Sequence, residues 1–365
     1  MALYDAVFEG GGAKGIAFLG SLEIFTQAGH SFRRLIGTSA GAITASLVAA
    51  GYRPDELAPI VLERLPDNRP RFLSFMDAPG REDFSDAIIQ GSVLQAALRQ
   101  VNIPFLGEAV EERIDRMLID GLLRNRQFAE LFSLAERGGI YAGNAFLAWI
   151  EEKFAAKGIE PADSFAEFHR KTGVDLSLVA TDVTDASMLV LNHRTAPGLP
   201  VAVAVRMSMS IPFVWQEVAW LPDWGAYGGR DLAGHVIVDG GVLSNFPIRL
   251  LNVLDDHVRP IMGATDPGAA GTVGFLIDET LQVPGEPRES KTPSPISRLK
   301  MTHRVSGLLD TMMGAGDNEM IRLYERQIVR HPAMGYGTLE FGMQGDRLNH
   351  FLDASRAAMR AHLGL

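Results

Sequence analysis

The chain has 365 residues, no cysteine, 47% apolar and 21% charged residues, and a formal net charge of −10 at pH 7. This is globular composition with enough apolar residues for a sizeable core, and it excludes disulfides, thiolate metal sites and cysteine nucleophiles. The acidic balance gives no support to wholesale binding of nucleic acid, leaving Arg33, Arg34 and the stretch 300–304 as small basic patches.

The opening residues show no basic segment followed by an apolar one, and no apolar run approaches bilayer length. The expected location is therefore the cytoplasm, with peripheral contact at a membrane face. In chain order, "LYDAVF" reads as a short strand ended by the glycine run of "FEGGGAKG" (8–15). Residues 13–28 read as a helix, "RLIGTS" as a second strand and "AGAITASLVAAG" as a helix stopped by Gly51. Strand, glycine turn, helix, repeated, predicts a parallel sheet with right-handed crossovers.

Residues 53–140 break that rhythm, with amphipathic stretches such as "EAVEERIDRMLIDGLL" and breakers "PDNRPRF" and "DAPGREDF". They read as a helical insertion or lid without a strong strand. From 140 the α/β pattern returns: "NAFLAWIEEKFAAKG" is a helix with Asn144 as N-cap, and "DLSLVATDV", "SMLVLNH" and "HVIVDGG" are strands. Residues 283–297 read as an exposed mobile loop, and helical stretches near 300–330 and 347–364 flank a "TLEFGM" strand.

Three glycine-flanked turns carry the candidate chemistry. Gly10, Gly12 and Gly15 satisfy G-x-G-x-x-G after a strand and before a helix, with Arg33 and Arg34 where a 2′-phosphate could be met. An NADP-dependent oxidoreductase is one reading of that turn, and a purely structural tight turn is another. The acidic residue expected of a dinucleotide site is missing, and Gly15 is followed by Ile16, which excludes a Walker A loop. "GTSAG" (37–41) is G-x-S-x-G at a strand-to-helix turn, where flanking Gly37 and Gly41 permit the sharp bend that presents a Ser39 hydroxyl at a helix N-terminus. Asp239 ends the apolar strand "HVIV" and is followed by Gly240 and Gly241. All three turns fall at C-terminal strand ends, where open α/β sheets place their sites.

"GGGAKG", "GTSAG" and "DGG", in this order, resemble the patatin-like phospholipase family, as do "VAVAVRMSMSIPFVW" (201–215) and "VDGGVLSNFPI". The resemblance spans about residues 5–50 and 140–250. It implies an α/β, three-layer patatin-like fold with a largely parallel central sheet and helical insertions, the whole chain 1–365 forming a single catalytic domain. It implies a lipid acyl hydrolase acting on phospholipid or lysophospholipid at a membrane surface. Ser39 would be the nucleophile and Asp239 its base, with Gly11 and Gly12 supplying oxyanion-hole amides and Gly10, Lys14, Gly15, Gly37, Gly41, Gly240 and Gly241 supporting the motifs. Lys14 sits where the family carries a basic residue, to serve loop structure or anionic headgroups. No metal or organic cofactor is implied.

A free Asp near its reference pKa of about 3.9 is a weak base at neutral pH, so this mechanism requires burial or a hydrogen bond from the nascent alkoxide to assist it. Five of nine histidines follow Asp239, which leaves a Ser-Asp-His triad through His257 open in principle, although no motif recommends any of them. "RFLSFM" and "AWLPDWGAYGG" could line an acyl channel. An inactive acyl-binding protein, and an effector lipase held off until a protein or small-molecule activator arrives, are the other rivals. For the latter, control would reside in 53–140 and 283–330.

Overall fold

The computed structural model of the chain describes residues 2–99, 117–253, 255–264, 268–286, 317–338 and 340–365. Ten strands are defined among them: β1 (Ala2–Phe8), β2 (His30–Thr38), β3 (Gly139–Tyr141), β4 (Asp175–Asp182), β5 (Ser187–Leu191), β6 (Phe213–Trp215), β7 (Val218–Ala219), β8 (Val236–Asp239), β9 (Gly271–Asp278) and β10 (Ile328–Pro332). The main sheet runs β10-β9-β1-β2-β4-β8-β7, with β5 also paired to β4. From β10 to β4 every pairing is parallel, while β5 and β8 run antiparallel to β4 and β7 antiparallel to β8. Strands β3 and β6 form a separate parallel pair.

Successive strand residues feed two cores. Phe8, Leu35, Leu178, Leu189 and Phe275 enter one, with helices α1 (Ala17–Gln27), α2 (Ala40–Ala49), Asn144–Ala155, Val201–Ser208 and Gly345–Leu363. Val7, Ile36, Val179, Val190 and Leu276 enter the other, beneath Phe246, Leu250, Leu251 and Met262. A sheet whose period-2 alternation is apolar on both faces must be covered on both, which is the expected three-layer α/β arrangement.

One detail of register builds the site. Leu178 of β4 pairs with Gly37 of β2 and Leu191 of β5, and Ala180 pairs with Leu189 of β5 and Asp239 of β8. A strand has only two edges, so β5 takes one, and β2 and then β8 share the other. β2 ends with Thr38 opposite Val179, and β8, running the opposite way, ends with Asp239 opposite Ala180. The two strands thus meet end to end, and Ser39 and Asp239 lie at the junction.

Several expectations are revised. "TLEFGM" is not a strand over its described residues; the sheet edge is taken by β10, and Phe341 instead stacks on Phe72 at 5.5 Å. Asn144 is the first helical residue and not the N-cap. The helix start is capped from another segment, because Asp77 accepts from the amides of Gly143, Asn144 and Ala145 at 2.9–3.2 Å. Within 53–140 the described elements include helices Pro54–Val61, Asp86–Gly91, Val93–Arg99 and Arg126–Arg137, with a small core of Phe84, Ile89, Ile119, Leu123 and Phe132. The stretch 101–116, the basic stretch 300–304, most of the expected mobile loop and the first part of the helix near 300–330 lie outside the described residues. No helix among the described residues is long and apolar enough to cross a membrane.

Candidate active site

Ser39 sits between β2 and α2 with φ 53° and ψ −122°, a conformation an L-residue adopts only under constraint from its surroundings. The constraint is packing. A Cβ on Gly37 would lie 2.2 Å from the Gly41 carbonyl oxygen, and a Cβ on Gly41 would lie 2.1 Å from that of Phe8. The turn is therefore closed on itself and pressed against the end of β1, as the glycine spacing predicts. Ser208 holds it from behind: the Ser39 N–H donates to Ser208 Oγ at 3.0 Å, and Ser208 Oγ donates to the Val179 carbonyl at 2.6 Å.

Asp239 is 1% exposed. Its N–H donates to the Ser210 carbonyl at 2.9 Å, and its Oδ1 accepts from the Gly241 N–H at 2.7 Å. Gly240 is required beside it, since a Cβ there would lie 2.4 Å from the Val179 carbonyl oxygen. Burial pushes the Asp239 carboxyl up to about 7, against the lowering effects of the Ser39 hydroxyl and the Gly241 N–H. Oδ2 is buried and makes no well-aligned hydrogen bond. The serine thus lies within the carboxyl's influence without a tight bond, which is common for reacting groups before substrate tightens the site.

The glycine loop follows β1 and packs beside the serine. A Cβ on Gly10 would lie 3.1 Å from Ser39 Cβ, and one on Gly15 would lie 2.8 Å from Ala40 Cβ. Gly12 has φ +55° and abuts the Thr338 carbonyl, which accepts the Ala13 N–H at 2.8 Å. The Gly10 N–H donates to the Asn245 carbonyl and the Lys14 N–H to that of Gly11, both at 3.1 Å. Among the described residues the amides of Gly11 and Gly12 meet no acceptor. Lys14 is buried and ion-paired with Glu279.

The loop separates two cavities. One, of about 300 Å³, is apolar and has Ser39, Gly12 and Ala13 in its wall together with Ile16, Leu19, Phe72, Phe75, Phe146 and Trp215. "RFLSFM" therefore contributes to this cavity, while the residues of "AWLPDWGAYGG" do not line it. The segment 53–140 supplies part of the wall through Val61, Leu62, Phe72 and Phe75. The other cavity, of about 400 Å³, is polar and includes Glu9, Gly10, Gly11, Lys14, Asn245 and Asp317. Glu9 is pushed up to about 8, chiefly by burial, with the Ile277 N–H, Lys14 and Asn245 lowering it and Asp317 raising it.

The rival chemistries lose their residues. Arg33 and Arg34 both bind the buried Asp5, at 2.9 Å and 2.6 Å, and so do not await a phosphate. His257 is exposed, whereas Asp239 is buried, and His331 is bonded to Ser21 and the Leu276 carbonyl in the core. The described acid and histidine side chains that could hold a cation are Asp182, Asp185 and His235. There Asp182 is already engaged by His235 and by the amides of Thr184 and Asp185. Sequence reading missed Ser208, Asn245 and Asp317. "SNFP" inside the family-like segment was a signal for Asn245, whereas Asp317 comes from a region with no motif.

A serine at a strained strand-to-helix turn, beside a buried carboxyl and open to an apolar cavity, gives this α/β protein the layout of a hydrolase acting on lipids. The patatin-like phospholipase profile matches residues 6–252, and the chain belongs to that family. It is 32% identical over 271 residues to the uncharacterized protein YqhO of Bacillus subtilis (strain 168), covering 72% of this chain and 70% of that one. It is 21% identical over 242 residues to Probable lipid hydrolase 463L of Invertebrate iridescent virus 6, covering 66% of this chain and 61% of that one, less than two thirds of its length. Among solved structures, VipD from Legionella pneumophila is similar with a TM-score of 0.49 and 15% identity, over 99% of this chain and 66% of that one.

Proposed function

We propose that the chain hydrolyses acyl esters of phospholipids or lysophospholipids through a Ser39–Asp239 dyad, with the Gly11 and Gly12 amides as oxyanion donors. The observation that carries this reading is the end-to-end meeting of β2 and β8, which sets a serine at a strained turn against a carboxyl whose burial raises it to about 7. A carboxyl at its ordinary pKa would be too weak a base at neutral pH; one near 7 is matched to the task. Glycine amides without an acceptor support the oxyanion assignment, and the apolar cavity suits an acyl chain.

In this mechanism Ser39 Oγ attacks the ester carbonyl carbon while its proton passes to Asp239. The carbonyl oxygen takes up the negative charge facing the loop amides and the N-terminus of α2. Collapse breaks the ester C–O bond, and the leaving alcohol takes the proton from Asp239. Water then gives a proton to Asp239 and attacks the acyl-serine, and collapse releases the fatty acid as the proton returns to Ser39 Oγ. The substrate's headgroup would remain outside the apolar cavity, at a membrane surface.

The test is fluorophosphonate labelling together with fatty-acid release from defined phospholipids, for wild type, Ser39→Ala and Asp239→Asn. Loss of labelling and hydrolysis in Ser39→Ala, with a large rate loss in Asp239→Asn, is expected. Hydrolysis retained by Ser39→Ala would remove the nucleophile, and an unchanged rate in Asp239→Asn would remove the dyad.

A further inference from the structure

Nothing in the dyad itself orients the loop amides, and glycine peptides turn over at little steric cost. The loop must therefore be held from outside. Asn245, 8% exposed, holds Gly10 at both of its backbone polar atoms. Its carbonyl accepts the Gly10 N–H at 3.1 Å, and its Nδ2 donates to the Gly10 carbonyl at 2.9 Å. The same Nδ2 also lies 3.3 Å from Glu9 Oε1, and a reversed amide would set its oxygen against the Gly10 carbonyl.

The Gly10–Gly11 peptide is trans, and in a trans peptide the carbonyl and the next N–H point in opposite directions. Asn245 and Ser39 both pack against Gly10, where a Cβ would lie 2.2 Å from Asn245 Oδ1 and 3.1 Å from Ser39 Cβ. Drawing the Gly10 carbonyl onto Asn245 Nδ2 therefore fixes the direction of the Gly11 N–H, in a peptide that packs beside the serine turn. Asn245 is itself held in place. Asp317 Oδ2 accepts the N–H groups of Asn245 and Phe246 at 2.8 and 2.7 Å, and Oδ1 accepts the Ser244 hydroxyl at 3.0 Å.

We infer that Asn245, seated by Asp317, is a positioning residue that sets the direction of the Gly11 N–H and so assembles the oxyanion hole. This rests on the proposed hydrolase reading. It also explains a cost: Asn245 Oδ1 is buried without a partner against Gly10, where a Cβ would lie 2.2 Å from it. An acceptor left unpaired beside the loop is tolerable where the opposite end of the same amide has a task.

The experiment compares wild type, Asn245→Asp and Asn245→Ser, with rates normalised to sites titrated by fluorophosphonate. Asn245→Asp keeps the shape but sets an acceptor against the Gly10 carbonyl; Asn245→Ser shortens the side chain and guards against a folding failure in the first variant. Two inhibitors serve as probes. A fatty trifluoromethyl ketone adds to Ser39 and forms an oxyanion, whereas an ether-linked lysophospholipid has no carbonyl to polarise. Both variants should lose about 10²-fold in kcat with KM within about twofold, the loss typical of one oxyanion donor. Ketone affinity should fall in parallel while ether-lipid affinity holds. A kcat within about threefold of wild type, or equal weakening of the two inhibitors, would overturn the inference while the dyad stands. If wild type neither labels at Ser39 nor hydrolyses phospholipid, the hydrolase reading fails and this inference with it.

Discussion

Replacing Asp239 by Asn should make the protein more stable at neutral and alkaline pH. Folding lifts this carboxyl from its ordinary value of 3.8 to about 7, because its charged form is poorly solvated where it sits. A raised folded-state pKa contributes stability that is complete below the unfolded value and is lost as pH rises through the folded one. At 1.36 kcal/mol per unit of pKa, the loss in wild type reaches at most about 4 kcal/mol above pH 7, roughly half of it by pH 5.5. Asn cannot ionise, keeps an oxygen to accept the Gly241 N–H, and escapes that loss. For a chain of this length about 4 kcal/mol corresponds to a rise of roughly 5 °C in Tm. Thermal unfolding of both proteins should be followed from pH 4 to pH 9. Glu9 titrates in the same sense in each, so the difference between them isolates Asp239. A variant less stable than wild type at pH 8, or an offset that does not vary with pH, would refute the account of this carboxyl as a desolvated base.

The rate should report the same group. Log kcat/KM should climb with unit slope below about pH 7 and level off above it, since only ionised Asp239 can take the serine proton; Glu9→Gln should leave that limb in place. Ser208→Ala removes the acceptor for the Ser39 N–H and a donor to Val179. It should cost about 1–3 kcal/mol in urea unfolding, the usual penalty for buried groups left unpaired, with an accompanying fall in kcat. Gly41→Ala would set a Cβ 2.1 Å from the Phe8 carbonyl oxygen and should give protein that is insoluble or unfolded by circular dichroism. Val61→Trp narrows the apolar cavity on the side built by the segment 53–140. It should lower kcat/KM for long-chain esters by about tenfold or more while butyrate esters change little, because discrimination in an apolar pocket accumulates per methylene.

Much of this organisation was legible because the site is made of turns, and turns write themselves in glycine. Gly37, Gly41, Gly12 and Gly240 are each forced by a backbone oxygen within 2.4 Å of where a Cβ would be, and such constraints leave a mark in a single sequence. The strands were legible for a different reason. Both faces of β1, β2 and β4 are covered, so each reads as a short apolar run bounded by turn residues. What could not be read is carried by side chains that cap or clamp at long range. Asp77 caps a helix that begins near Gly143, and Asp317 holds residues 244–246; in isolation each is one of many acidic residues. The expected "TLEFGM" strand failed because its alternating residues pack Phe341 and Met343 around the cavity while β10 takes the sheet edge. Local pattern could not tell those two kinds of burial apart.

The pKa of Asp239 had to be left open at the level of sequence, and the fold answers it through topology. In a dyad without histidine the carboxyl must be a base without a relay, which requires a dry environment and few hydrogen bonds to its charged form. The end of β8 meets both requirements. Its edge is closed by β4, its own N–H goes to Ser210, and one oxygen of its side chain takes a single N–H from Gly241. A further donor to that carboxylate would lower its pKa and weaken it as a base. The unpartnered Oδ2 is therefore the feature on which the proposed base strength would depend.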